Sequence, residues 1–108
     1  MKLVQEIRKN DLLSSNWGIY ELSKAEANKY GNKFALSQGI FSDFGIKEFG
    51  ADKLLSRLRN DLYEGFFETQ KEAYMQVKLV EMKCKIDKLE YAAKDLIEAT
   101  KIKTPKWF

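Results

Sequence analysis

The sequence predicts an all-α protein with two short N-terminal helices, a connector rich in glycine and phenylalanine, and a long C-terminal helix that could bend near Gly65. Three observations support this. Apolar residues recur at helical spacing near the N-terminus, a helix-capping pattern begins at Ser23, and residues 51–101 contain no proline and one glycine. We expect one domain over residues 1–101, forming a helical bundle or a coiled-coil-like oligomer, followed by a basic-aromatic tail over residues 102–108.

The first helix is predicted over residues 2–13, where Leu3, Val4 and Ile7 follow a helical period. Residues 17–22 have strand-forming side chains, but a single strand without a partner is marginally stable. We therefore interpret that segment as a connector.

The second helix is predicted from Ser23 to about Gln38. Ser23 followed by Glu26 is a capping-box pattern, and Gly31 weakens the helix without ending it. The connector after it, residues 39–50, is punctuated by three glycines, and we expect its aromatic side chains to fill the core: Phe41, Phe44 and Phe49.

The long helix carries two apolar stripes. One repeats at alternating steps of four and three residues, as in a coiled-coil seam: Met75, Leu79, Met82, Ile86, Leu89, Ala93, Leu96 and Thr100. The other lies on the opposite side between Ala73 and Tyr91 and includes Val77, Val80 and Cys84. The first two helices could straddle the long helix within one chain. We favour the alternative, a homo-oligomer or a partner surface, because the N-terminal half offers too little helix to cover both stripes.

Composition excludes several kinds of catalytic site. The chain has no histidine, and its single cysteine, Cys84, rules out an intrachain disulfide. We interpret Cys84 as an inert buried thiol and a carboxylate row at helical spacing as a solvent-facing surface: Asp61, Glu64, Glu68 and Glu72. Because no pair of a nucleophile and a base can be recognised in the sequence, we predict no enzyme activity, no cofactor and no metal site.

The net charge of +3 resides in the last eight residues, because the two preceding stretches of fifty carry +1 and −1. A neutral body with 16 lysines and three arginines disfavours sequence-specific DNA recognition. The tail could contact an acidic partner, nucleic acid or an anionic membrane, or could cap the core of its own chain. We predict that it is displayed to a partner through Lys101, Lys103, Lys106, Trp107 and Phe108.

Together these features favour a small non-enzymatic interaction protein that acts by stoichiometric protein–protein contact. It would be a regulator, an adaptor or an inhibitor of the kind that phages and other mobile elements encode. The alternative is a nucleic-acid-binding accessory protein that uses the lysine-rich tail weakly. No apolar stretch is long enough for a transmembrane helix or a signal peptide, so we expect a cytoplasmic protein.

Overall fold

A computed structural model describes residues 1–100 and shows an α/β fold, in which a four-stranded antiparallel sheet has helices on both faces. The strands lie side by side in chain order: β1 (Lys2–Ile7), β2 (Trp17–Glu21), β3 (Phe34–Ser37) and β4 (Gly65–Phe67). The helices are α1 (Lys24–Tyr30), α2 (Asp43–Phe49), α3 (Ala51–Ser56) and α4 (Gln70–Thr100). The predicted all-α class and helical bundle are therefore wrong.

The two central strands are buried on both faces. Ile19 pairs with Leu36 and Tyr20 with Ala35, and all four side chains are 0–2% exposed. Because side chains alternate along a strand, Ile19 and Leu36 belong to one core and Tyr20 and Ala35 to the other. Strands covered on both faces lose the polar alternation that marks a half-exposed strand, which removes their clearest sequence signal.

Helices cover the two faces unequally. The first core lies between the sheet and α4, and its buried members are Leu13, Trp17, Ile19, Leu36, Ala73, Val77 and Val80. The second core lies on the other face, where Leu55 of α3 packs with Tyr20, Leu22 and Ala35 while Ala27 and Tyr30 of α1 cover its edge. One long helix therefore covers one face of the sheet together with loop residues such as Leu13 and Tyr63, whereas short helices cover the other face.

The segment predicted as the first helix is β1. Its register against β2 shifts between Leu3 and Gln5, so the strand carries a bulge there. Val4 and Ile7 both pack against the α4-side core. Their three-residue spacing is what a helix would give, but here the extra residue of the bulge produces it. Trp17–Glu21, interpreted as a connector for want of a partner, has β1 on one side and β3 on the other.

The second helix begins where predicted and ends early. Ser23 Oγ accepts a hydrogen bond from the Glu26 N–H at 3.2 Å, and Glu26 Oε1 accepts one from the Ser23 N–H at 2.8 Å. Gly31 then adopts the left-handed conformation with φ +76°, and its N–H donates to the Ala27 carbonyl. This is a helix C-cap, so Gly31 ends α1, and the predicted continuation to Gln38 is replaced by β3.

The long helix predicted from Ala51 is interrupted by a loop and by β4. Asn60 in that loop has φ +53°, and the Asp61 carboxylate accepts hydrogen bonds from the N–H groups of Tyr63 and Glu64. Glu64 in turn accepts from the Gln38 N–H at 3.1 Å and from Arg59 Nε at 3.1 Å. The predicted helical row of carboxylates is therefore wrong, since its first members form a turn that holds β4 against β3.

A polar contact ties α1 to α3 and gives a pH-dependent prediction. Hydrogen bonds from Lys29 Nζ at 2.6 Å and from the Tyr30 hydroxyl at 3.1 Å lower the pKa of Asp52.

A carboxyl with a lowered pKa in the folded state stabilises the fold above its unfolded pKa and loses that contribution as the pH falls through the folded pKa. We expect Asp52→Asn to lower the free energy of unfolding at pH 6, with the difference vanishing well below about pH 4. Urea titrations at both pH values check this, and an equal loss at both would contradict it.

Candidate interaction surface on the long helix

One stripe of α4 builds the fold. Ala73, Val77 and Val80 are 0–2% exposed beneath the sheet, and Cys84 lies half-buried at the edge of the same core. These positions recur every three or four residues and so share one side of the helix. Tyr91, which the sequence places near this stripe, is 71% exposed because the packing against the sheet ends before it.

The opposite side of α4 carries apolar residues that the sheet does not reach. At about 100° per residue, they lie roughly half a turn from the buried stripe. We call this surface the seam, and its side chains are between 51% and 66% exposed: Met75, Leu79, Met82, Ile86, Leu89 and Leu96. These are six of the eight residues that the sequence analysis assigns to the predicted seam, and the structure places all six on one face, with half-buried Ala93 between the last two.

The second half of α4 projects beyond the sheet. From Lys85 to Leu96, every residue except Ala93 is exposed. Lys88 Nζ donates a hydrogen bond to the Asp11 carbonyl at 2.6 Å and links this part of the helix to the β1–β2 loop. The structure accordingly measures 59 × 26 × 20 Å, and its radius of gyration is 18.3 Å. A compact domain of this length has a radius of gyration of about 13 Å.

At its first turns the seam borders a groove. The groove has a volume of about 480 Å³ and lies beside β4, where Phe67, Met75 and Leu79 form its apolar wall. The polar side chains of Thr69 and Gln76 also line it. The first turns of the seam thus border a shallow groove, whereas its projecting half lies beyond the sheet.

Charged residues flank the seam. Lys78 pairs with Glu81 at 3.4 Å, and Lys83 pairs with Asp87 at 3.0 Å, both within the helix. The hydrogen bond to Asp87 raises the pKa of Lys83, so this lysine stays cationic at neutral pH. An apolar stripe flanked by charged side chains matches the arrangement in coiled-coil helices, where flanking charges select the partner.

A second exposed apolar surface was missed by the sequence analysis. Phe44 and Phe49, predicted to fill the core, are 74% and 47% exposed, and Lys53 and Arg57 lie over the Phe49 ring. Of the three connector aromatics, Phe41 is the one that packs on Tyr20, at 5.2 Å between ring centroids. No periodic signal marks Phe44 and Phe49, because α2 and α3 are each too short to show one.

The other predicted site residues lie elsewhere. The tail residues Lys101, Lys103, Lys106, Trp107 and Phe108 fall outside the described residues. Over residues 1–100, no three His, Cys, Asp or Glu side chains come together in a way that could hold a metal ion. In the same part of the chain, no helix combines the length and the apolar character needed to cross a membrane.

Comparison of the chain with protein-family models, curated proteins and solved structures finds no match.

Proposed function

We propose that this protein acts by stoichiometric protein–protein contact through the seam of α4. One observation carries the proposal. A single helix has two apolar stripes on opposite sides, and the sheet buries one while leaving the other half or more exposed. Two stripes require two packing layers, and residues 1–100 supply only one.

The size of the seam supports this reading. Each half-exposed Leu, Ile or Met side chain presents on the order of 100 Å² of surface, so the six present roughly 600 Å². The largest exposed apolar patch of a typical monomer measures about 300–600 Å² and is often functional, and the seam lies at the upper end of that range. Unbranched Met side chains at two of the six positions adapt easily to the surface of a partner.

The role we propose is that of a regulator, an adaptor or an inhibitor, without catalysis. The chain contains no histidine to act as a base, and its one thiol, Cys84, is half-buried in the core beneath α4. A single free cysteine also suits the reducing cytoplasm, where we propose that the protein works.

The test is partner capture with matched variants. We expect Ile86→Glu to abolish capture of protein from nuclease-treated lysate of the native cell, because it places a carboxylate in the middle of the seam. Tyr91→Glu is the control, since it also replaces an exposed apolar residue of α4 with glutamate but lies away from the seam. Quantitative mass spectrometry measures the bound proteins, including untagged copies of the chain.

The proposal would be contradicted if both variants failed to capture the same proteins, or if both captured the same proteins as the wild type. The alternative function, nucleic-acid binding through the lysine-rich tail, is tested by omitting the nuclease. It requires that nucleic acid be retained by Ile86→Glu as well as by the wild type, with affinity falling steeply as salt increases.

A further inference from the structure

We infer that the partner seated on the seam is a second copy of this chain, with its α4 helix running antiparallel to the first. This inference rests on the proposed function and names its partner. It follows from the register of the seam, from the charges beside it and from the part of α4 that projects.

The register of the seam fits a two-helix coiled coil. In a heptad labelled a to g, the alternating spacing puts Leu79 and Ile86 at a, and Met82 and Leu89 at d. Antiparallel helices pair an a residue with a d residue. If the helices cross between residues 87 and 88, three distinct layers form, and every member is a described apolar side chain: Leu79 with Leu96, Met82 with Ala93, and Ile86 with Leu89.

The flanking charges distinguish the two orientations. Lys83 and Glu90 occupy e positions, and Lys78 and Lys85 occupy g positions. In an antiparallel pair, e faces e, so each Lys83 meets Glu90 of the second copy. In a parallel pair, g faces e. Each Lys78 would then meet Lys83 of the second copy, and this repulsion would offset the attraction between Lys85 and Glu90.

The shape of the chain agrees with the antiparallel arrangement. The sheet packs on the side of α4 opposite the seam, so the seam faces away from the core. The projecting half of each α4 then lies along the sheet-supported half of the other, and the exposed apolar side chains of both projecting halves are covered. Five of the exposed seam residues of each chain lie in these layers, so the two chains together bury about 1,000 Å², which is the least that a specific protein–protein interface is expected to bury.

Charge reversal tests the inference. Lys83→Glu places a carboxylate against Glu90 of the second copy in the antiparallel dimer, and we expect the dissociation constant to rise about tenfold. Lys85→Glu is the matched control. Like Lys83→Glu, it reverses one charge and creates one like-charge pair within its own helix. In the antiparallel dimer, however, residue 85 faces Ala92 of the second copy. We expect its dissociation constant to stay within about threefold of that of the wild type.

Sedimentation velocity over a concentration series measures both constants. Lys83→Glu/Glu90→Lys should restore the affinity, because it exchanges the two charges of the pair. A parallel dimer would give the reverse of the single-variant results: tighter association of Lys83→Glu and weaker association of Lys85→Glu. That outcome would overturn the inference.

Cross-linking gives a second measurement that needs no change of charge. In a Cys84→Ala background, a mixture of Ile86→Cys and Leu89→Cys chains should form a disulfide-linked pair, while neither variant alone should do so. Cross-linking of each variant with itself would indicate parallel helices and overturn the inference. A wild-type chain that stays monomeric at about 100 μM would also overturn it. In that case the proposed function would still stand if the capture experiment found a partner other than this chain. That partner would have to bind Tyr91→Glu but not Ile86→Glu.

Discussion

Val77→Asp is expected to unfold the protein at room temperature. Val77 is 0% exposed and packs in the core that joins α4 to the sheet. A carboxylate at this position would lose its hydration without gaining a partner, at a cost of several kcal/mol. The whole free energy of unfolding of a domain is only about 5–15 kcal/mol. Loss of the cooperative urea transition, followed by circular dichroism, is the measurement.

The matched control is Met82→Asp, five residues further along the same helix. Met82 is 59% exposed and lies on the seam. At low protein concentration we expect this change to alter the free energy of unfolding by less than about 1 kcal/mol. Equal destabilisation by the two variants would mean that both sides of α4 are buried in the isolated chain, and would contradict the assignment of the seam as an exposed surface.

The double variant Leu79→Glu/Ile86→Glu is expected to be a folded monomer. In the paired helices it would bring four carboxylates into an apolar seam, and we expect the dissociation constant to rise by at least about 100-fold, or about 2.7 kcal/mol. In the isolated chain both positions are 51% exposed, so the sheet and its two cores should persist.

Sedimentation of this double variant should give the 12.6 kDa mass of one chain, whereas the wild type at about 100 μM should give twice that mass. Phe44→Glu/Tyr91→Glu is the control, because it adds the same charge at more exposed apolar positions. If the double variant sedimented like the wild type, the seam would not be the surface of association.

Features that depend on neighbouring residues could be predicted from the sequence. The capping box at Ser23 is one, because its two hydrogen bonds join residues three apart. The common face of Met75, Leu79, Met82 and the rest of the seam is another, because helical geometry alone sets it. That the seam joins two chains stays a prediction, since residues 1–100 of one chain do not test it.

The sheet could not be predicted in the same way, because its pairings join residues that are distant in sequence. β4 has three residues and pairs with β3 about thirty positions earlier. Asn60, in the loop before β4, has a positive φ, and no adjacent proline or glycine indicates a turn there. In β1, the bulge after Leu3 imitates a helical period, so the local pattern favoured the wrong element.

The central claim is that one side of α4 packs on the sheet and the other side packs on a second chain. Hydrogen exchange along α4 tests this claim most directly. Residues 73–84 pack on the sheet and should be protected at every protein concentration. The projecting residues 86–96 continue the same helix beyond its packing against the sheet, so their backbone hydrogen bonds should open more easily than those of residues 73–84. We expect their protection to be low at about 1 μM and to rise strongly by about 100 μM, as the chains pair. Exchange of residues 86–96 at one unchanging rate over this range would contradict the claim.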